Sequence, residues 1–102
     1  MNADKVLEAI FEAQDMCYHT IDFCLENEVI SPEHSILTES RMYSIMSSLN
    51  FEYNAVELDN EADIERVHGY AVSVLREASS TLAKMKALVQ ANKQEIDYCD
   101  FA

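Results

Sequence analysis

The sequence predicts an all-α fold: an antiparallel bundle of three helices with a long C-terminal helix, and a short fourth helix near residues 32–37 as a variant. Two observations carry this. The chain has one Gly and one Pro in 102 residues, whereas a sheet protein draws repeatedly on such residues for its turns. Apolar residues also recur at three- and four-residue spacing through three long segments, the period of a helix buried along one face.

The first helix is expected from Asn2 or Ala3 to about Asn27. Val6, Leu7, Ile10, Ala13, Gln14, Cys17, Ile21, Cys24 and Leu25 share one face, with Phe11 and Tyr18 at its edge. Asn2 can cap this helix, and Asp4 sits in the first turn, where a carboxylate suits the helix dipole.

The pattern breaks between Val29 and Glu33. Ser31-Pro32-Glu33 reads as a helix restart, with Ser as N-cap and Pro at the first helical position. Thr38-Glu39-Ser40 offers a second start, so a single-turn segment is expected before a main second helix over about 39–57. The stripe of that helix is Met42, Ile45, Met46, Leu49, Tyr53 and Val56. Its serines at 40, 44, 47 and 48 are middling helix formers, so the helix depends on packing more than on propensity.

Asp59 to Asp63 forms the next break. Asn60 with Asp63 three residues on resembles a capping box, although Asp is a poorer partner than Glu or Gln. The third helix then runs from Glu61 to about Glu95. Ile64, Val67, Ala71, Val74, Leu75, Ala78, Leu82, Met85, Leu88, Val89 and Ile96 give a seam of coiled-coil regularity. Gly69 interrupts it at a cost of about 1 kcal/mol against Ala, unless close packing or a kink uses it. Beyond it, the tail Tyr98-Cys99-Asp100-Phe101 either frays or docks.

One domain accounts for 102 residues, and its apolar content suffices for a core without metal or disulfide staples. Cys17, Cys24 and Cys99 are an odd set without framework spacing, and free thiols buried as small hydrophobes are the expectation. With no apolar leader and no span-length apolar run, a cytoplasmic location is expected. The third helix outruns the second, so Leu88, Val89 and Ile96 need cover. The 29–37 connection, with Ile30, Ile36 and Leu37, is one source and a second copy of the chain is the other, which makes a homodimer the expected assembly.

The formal net charge is −12. Residues 1–28 hold seven of the 19 acids and one of the seven bases. Asp4, Glu8, Glu12, Asp15, Asp22 and Glu26 fall within an arc of about 80° on the first helix, with His19 in the gap. Among the bases, only Lys5 is close in sequence. Any amphipathic helix needs a polar face, and acids can simply supply it. Yet a row of like charges costs stability by self-repulsion, and a single-sign field steers a basic partner. These six residues are therefore the candidate partner-binding face. Direct nucleic-acid binding is disfavoured, because the bases of the third helix are scattered round it.

No catalytic residues, cofactor site or metal ligands are assigned. Glu65-x-x-His68 is half of a di-metal bundle signature without its second half, and His19 beside Asp15 and Asp22 reads as a solvated histidine. Nothing resembles a nucleophile elbow or a phosphate cradle. Met16, Phe23, Tyr43 and Phe51 fall off the main stripes. With Leu88, Val89 and Ile96 they are the candidate apolar interface. The reading is a non-enzymatic acidic helical module acting by protein–protein contact, inhibiting or sequestering a basic partner. Two alternatives stand beside it: a nucleic-acid mimic directed at a nuclease or defence complex, and a metal-binding bundle.

Overall fold

A computed structural model describes residues 2–27, 30–57 and 59–100, with side chains through Asn92. Three helices follow in order: α1 (Ala3–Glu26), α2 (Pro32–Asn54) and α3 (Glu61–Asp100). At 1.5 Å per residue they are roughly 36, 34 and 60 Å long. They run up, down and up, so α1 and α3 lie parallel with α2 antiparallel to both.

Each helix begins on a side-chain cap. The Asn2 carboxamide oxygen accepts from the Lys5 N–H at 3.0 Å, and Ser31 Oγ accepts from the His34 N–H at 3.2 Å with Pro32 just inside. At the third start, Asn60 Oδ1 accepts from the Asp63 N–H at 3.2 Å. Asp63 does not return the bond to Asn60. Its Oδ2 accepts from the Glu57 N–H at 2.9 Å instead, tying the incoming turn to the helix. With its shorter side chain, Asp cannot close a Glu-type box and captures an earlier donor. That bond, together with the Arg66 guanidinium, holds the Asp63 carboxyl below its ordinary range.

Two elements depart from expectation, α2 at both ends and α3 at its C-terminus. There is no separate turn at 32–37 and no new start at Thr38, since α2 is continuous from Pro32. Thr38 is buried inside it, so its burial within the bundle outweighs its local preference for a cap. At the other end α2 stops at Asn54, short of residue 57. The third helix overshoots instead, reaching Asp100.

The main core joins all three helices. Val6, Ile10, Ala13, Cys17 and Ile21 of α1 meet Met42, Ile45, Met46 and Leu49 of α2, and Ile64, Val67, Ala71, Val74 and Ala78 of α3. The α1–α3 seam is built from small side chains, with Ala13, Cys17, Thr20, Ala71 and Ala78 wholly buried. Small residues let two helix backbones approach closely. Thr20 uses that proximity: its hydroxyl proton is shared between the Met16 carbonyl, 2.8 Å away, and the Ala78 carbonyl of α3 at 3.2 Å.

A second cluster closes the far end, where Cys24, Ile30 and Val89 are buried with Phe23 and Met85 against them. Part of the overhang on α3 is therefore covered by the chain itself, through Ile30. Ile36 and Leu37 do not contribute, being 62% and 63% exposed. Leu88 is half-buried, and the side chain of Ile96 lies outside the described residues.

Surface pairs fix the rotation of α2. Arg41 makes a forked contact to Glu77 of α3, with its closest approach at 2.8 Å. Arg66 bridges Asp63 and Glu52 of α2. Exposed pairs of this kind contribute little stability, but they set which face of α2 turns toward α3. On its other flank, Gln14 Nε2 donates to Asn50 Oδ1 at 2.7 Å, joining α2 to α1.

Candidate acidic face and its apolar borders

The capped start of α1 sets the phase of the whole helix, and its buried side points Asp4, Glu8, Glu12, Asp15, Asp22 and Glu26 away from the core. All six are exposed. Among the described residues none of them takes part in an ion pair, while Arg41 and Arg66 are both engaged elsewhere. The carboxylates form a row up one side of the bundle, neighbours about 5–6 Å apart where they are a turn apart.

One base does approach the row from outside α1. A cleft of about 570 Å³ between α1 and α3 has Met16, Phe23 and Leu82 in its floor. His19, Asp22 and Glu26 stand on its α1 rim, with Lys86 of α3 across from them. A wheel drawn for one helix cannot reveal a charge brought by another, so Lys86 escapes a reading of α1 alone. The upper end of the row is thus partly countered, and the stretch from Asp4 to Asp15 is not.

The apolar candidates separate. Met16 and Phe23 share the α1–α3 cleft, half-buried, with Met16 packed against the main core and Phe23 against the second cluster. Tyr43 and Phe51 are exposed on different flanks of α2, Phe51 71% exposed. The four residues therefore form no common patch. Val89 is buried within the chain's own second cluster, so it presents no surface to a partner.

A different apolar feature lies on α1. Phe11, Tyr18 and Leu25 are 58%, 51% and 62% exposed and follow one another at seven-residue intervals. Leu25 was expected in the core and is not. Leu25 lies on the flank of α1 turned away from α3, in line with Phe11 and Tyr18, and so no part of α3 covers it. Their seven-residue spacing is visible in the sequence, but each also borders the broad apolar stripe of α1, and only the neighbouring helices determine which side of that stripe is covered.

The remaining chemistry is sparse. Cys17 and Cys24 are buried free thiols. Burial pushes the Cys17 thiol up to about 11, with the Glu77 charge adding to it, and burial likewise raises Cys24. Neither is an activated nucleophile. Among the described residues no three His, Cys, Asp or Glu side chains stand close enough to hold a metal ion. Glu65 is exposed and His68 half-buried on α3, and Asp15, His19 and Asp22 make no such group. No described helix is long and apolar enough to cross a membrane.

The fold and surface define an acidic three-helix bundle whose row of carboxylates on α1 has no nearby base from another helix between Asp4 and Asp15. Comparison of the chain with known protein families, with curated proteins and with solved structures gives no match.

Proposed function

We propose that the protein is a non-catalytic binding module that engages a basic protein surface through the acidic face of α1, thereby sequestering or inhibiting its partner. The observation that supports this is the row itself: six exposed carboxylates on one helix, none of them in an ion pair among the described residues. Folding requires only a polar face on α1, not one of a single sign, and each like-charged pair a turn apart weakens a helix by a few tenths of a kcal/mol. A field of one sign speeds encounter with the opposite sign and selects against acidic partners.

The test is capture from host extract with the wild-type chain and with a variant carrying Asp4→Lys, Glu8→Lys, Glu12→Lys and Asp15→Lys. The basic proteins retained by the wild type should be lost with the variant, and their retention should weaken steeply with salt. Equal retention by both chains sinks the reading. Release of the captured protein by duplex DNA would identify its bound surface as one that otherwise holds phosphates, as a nucleic-acid mimic requires.

A further inference from the structure

We infer that the open groove between α1 and α2, on the side away from α3, is the seat of a basic amphipathic helix supplied by the partner. This rests on the proposed function and names where and how the partner would sit. The groove is apolar along its α1 wall and along the N-terminal half of its α2 wall. Phe11, Tyr18 and Leu25 line the α1 wall. On α2, Ile36 and Tyr43 are seven residues apart and 62% and 46% exposed, and seven residues further on comes Asn50. The Gln14–Asn50 hydrogen bond places that line of α2 directly beside α1, while Arg41 on another side of α2 reaches α3. The two lines therefore face one groove. Counting turns from the Gln14–Asn50 contact sets Tyr43 between Tyr18 and Leu25, with Ile36 beyond.

Size and charge select the occupant. From Phe11 to Leu25 the wall runs about 21 Å, four turns of helix. The same helical hairpin already seats α3 in its opposite groove, so its shape suits a helix. The two rims differ in charge. On α1 the apolar line is bordered by Asp4, Asp15 and Asp22, while the α2 border carries the exposed serines 40, 44 and 47. A fitting helix has an apolar stripe with Lys or Arg along one edge and neutral polar residues along the other. A second copy of this chain fits poorly, because it would bring another −12 of charge to the same rim.

The experiment uses two synthetic 18-residue helical peptides with one leucine stripe, the first flanked by Lys and Arg and the second by Glu. Binding to the full chain is measured by fluorescence anisotropy, with amide and Tyr ring shifts recorded by NMR. The basic peptide should bind, the acidic one should not, and shifts should centre on Tyr18 and Tyr43. Tyr18→Ser with Leu25→Ser, and separately Asp15→Lys with Asp22→Lys, should each weaken binding by roughly tenfold or more. All four positions are exposed, and circular dichroism checks that both variants fold. Binding of the basic peptide that the Tyr18/Leu25 variant leaves unchanged, or shifts centred on the α1–α3 cleft, overturns the groove while leaving the acidic-face reading intact. No binding of the basic peptide overturns the groove, and capture with the Asp4/Glu8/Glu12/Asp15 variant then decides the acidic-face reading separately. Dimerisation of the chain in sedimentation experiments, abolished by the Tyr18/Leu25 variant, would overturn the inference in favour of a second copy.

Discussion

The Thr20 hydroxyl reaches the carbonyl of Ala78, 3.2 Å away on the neighbouring helix. It can do so only because the residues around it are small. Ala13 and Cys17 precede Thr20 on α1, Ala71 precedes Ala78 on α3, and all are fully buried. Close approach of two backbones is thus the central packing device of the bundle. Replacing Ala78 with Leu should force the helices apart or push side chains off their rotamers, destabilising by about 1–3 kcal/mol. Thr20→Val keeps the branched shape and loses the hydroxyl proton shared between the Met16 and Ala78 carbonyls, at about 1 kcal/mol. Urea unfolding midpoints at constant slope would check both. An Ala78→Leu chain as stable as wild type would mean that the seam has room to spare.

Gly69 is a separate case. It lies in the exposed part of α3, and a Cβ built there would meet nothing within 4 Å. Neither tight packing nor a positive φ explains it. Gly69→Ala should therefore stabilise the protein by about 0.5–1 kcal/mol through helix propensity and a less flexible unfolded chain. A lowered thermal midpoint would contradict that.

The start of α3 depends on Asn60, which caps the Asp63 N–H. Asn60→Ala should cost about 1 kcal/mol, and Asn60→Ser much less, since a hydroxyl also caps well. Amide hydrogen exchange should show the loss concentrated in the first turn of α3. Uniform acceleration across the molecule, with no local excess, would argue against a capping role.

Alkaline pH offers a test of the buried thiol. Cys17 ionises at about 11 in the folded state against 9.0 unexposed, so the folded chain keeps a proton that the unfolded chain releases. The sign follows: stability from this group is complete below pH 9 and is lost as pH rises from 9 toward 11. Cys17→Ala should flatten the difference between unfolding midpoints at pH 8 and pH 10 relative to wild type. An unaltered difference would assign the alkaline loss to other groups. Native Cys17 and Cys24 should also react slowly with a thiol reagent until the chain unfolds.

Much of the fold was legible because its signals are local. Asn2, Ser31 and Asn60 are caps that can be read without any knowledge of packing, and each of them caps its helix. The stripes of α2 and α3 were equally plain. What stayed hidden depends on neighbours. Thr38 looked like a start because its hydroxyl can cap, but it is buried inside α2. Leu25 looked like core because it is apolar and on the right side, yet no helix stands over it. Ile30, rather than Ile36 or Leu37, covers Val89 because only it lies on the inner side of the turn into α2. The acidic row was fully readable, since its spacing belongs to α1 alone, whereas Lys86 opposite its upper end belongs to α3. The groove walls needed the Gln14–Asn50 contact to bring two separate lines of residues together.

The contact between Thr20 and Ala78 spans 58 residues of chain, and this has a consequence for synthesis. α1 and α2 can emerge from a ribosome and pair while the small-residue seam of α1 still has no partner. Its buried face stays open until the middle of α3 has been made and has cleared the exit tunnel. Completion of the bundle is therefore a late event set by loop closure rather than by helix formation. A released chain truncated before residue 71 should be far more sensitive to protease than one extending past residue 92, although both contain the whole of α1 and α2.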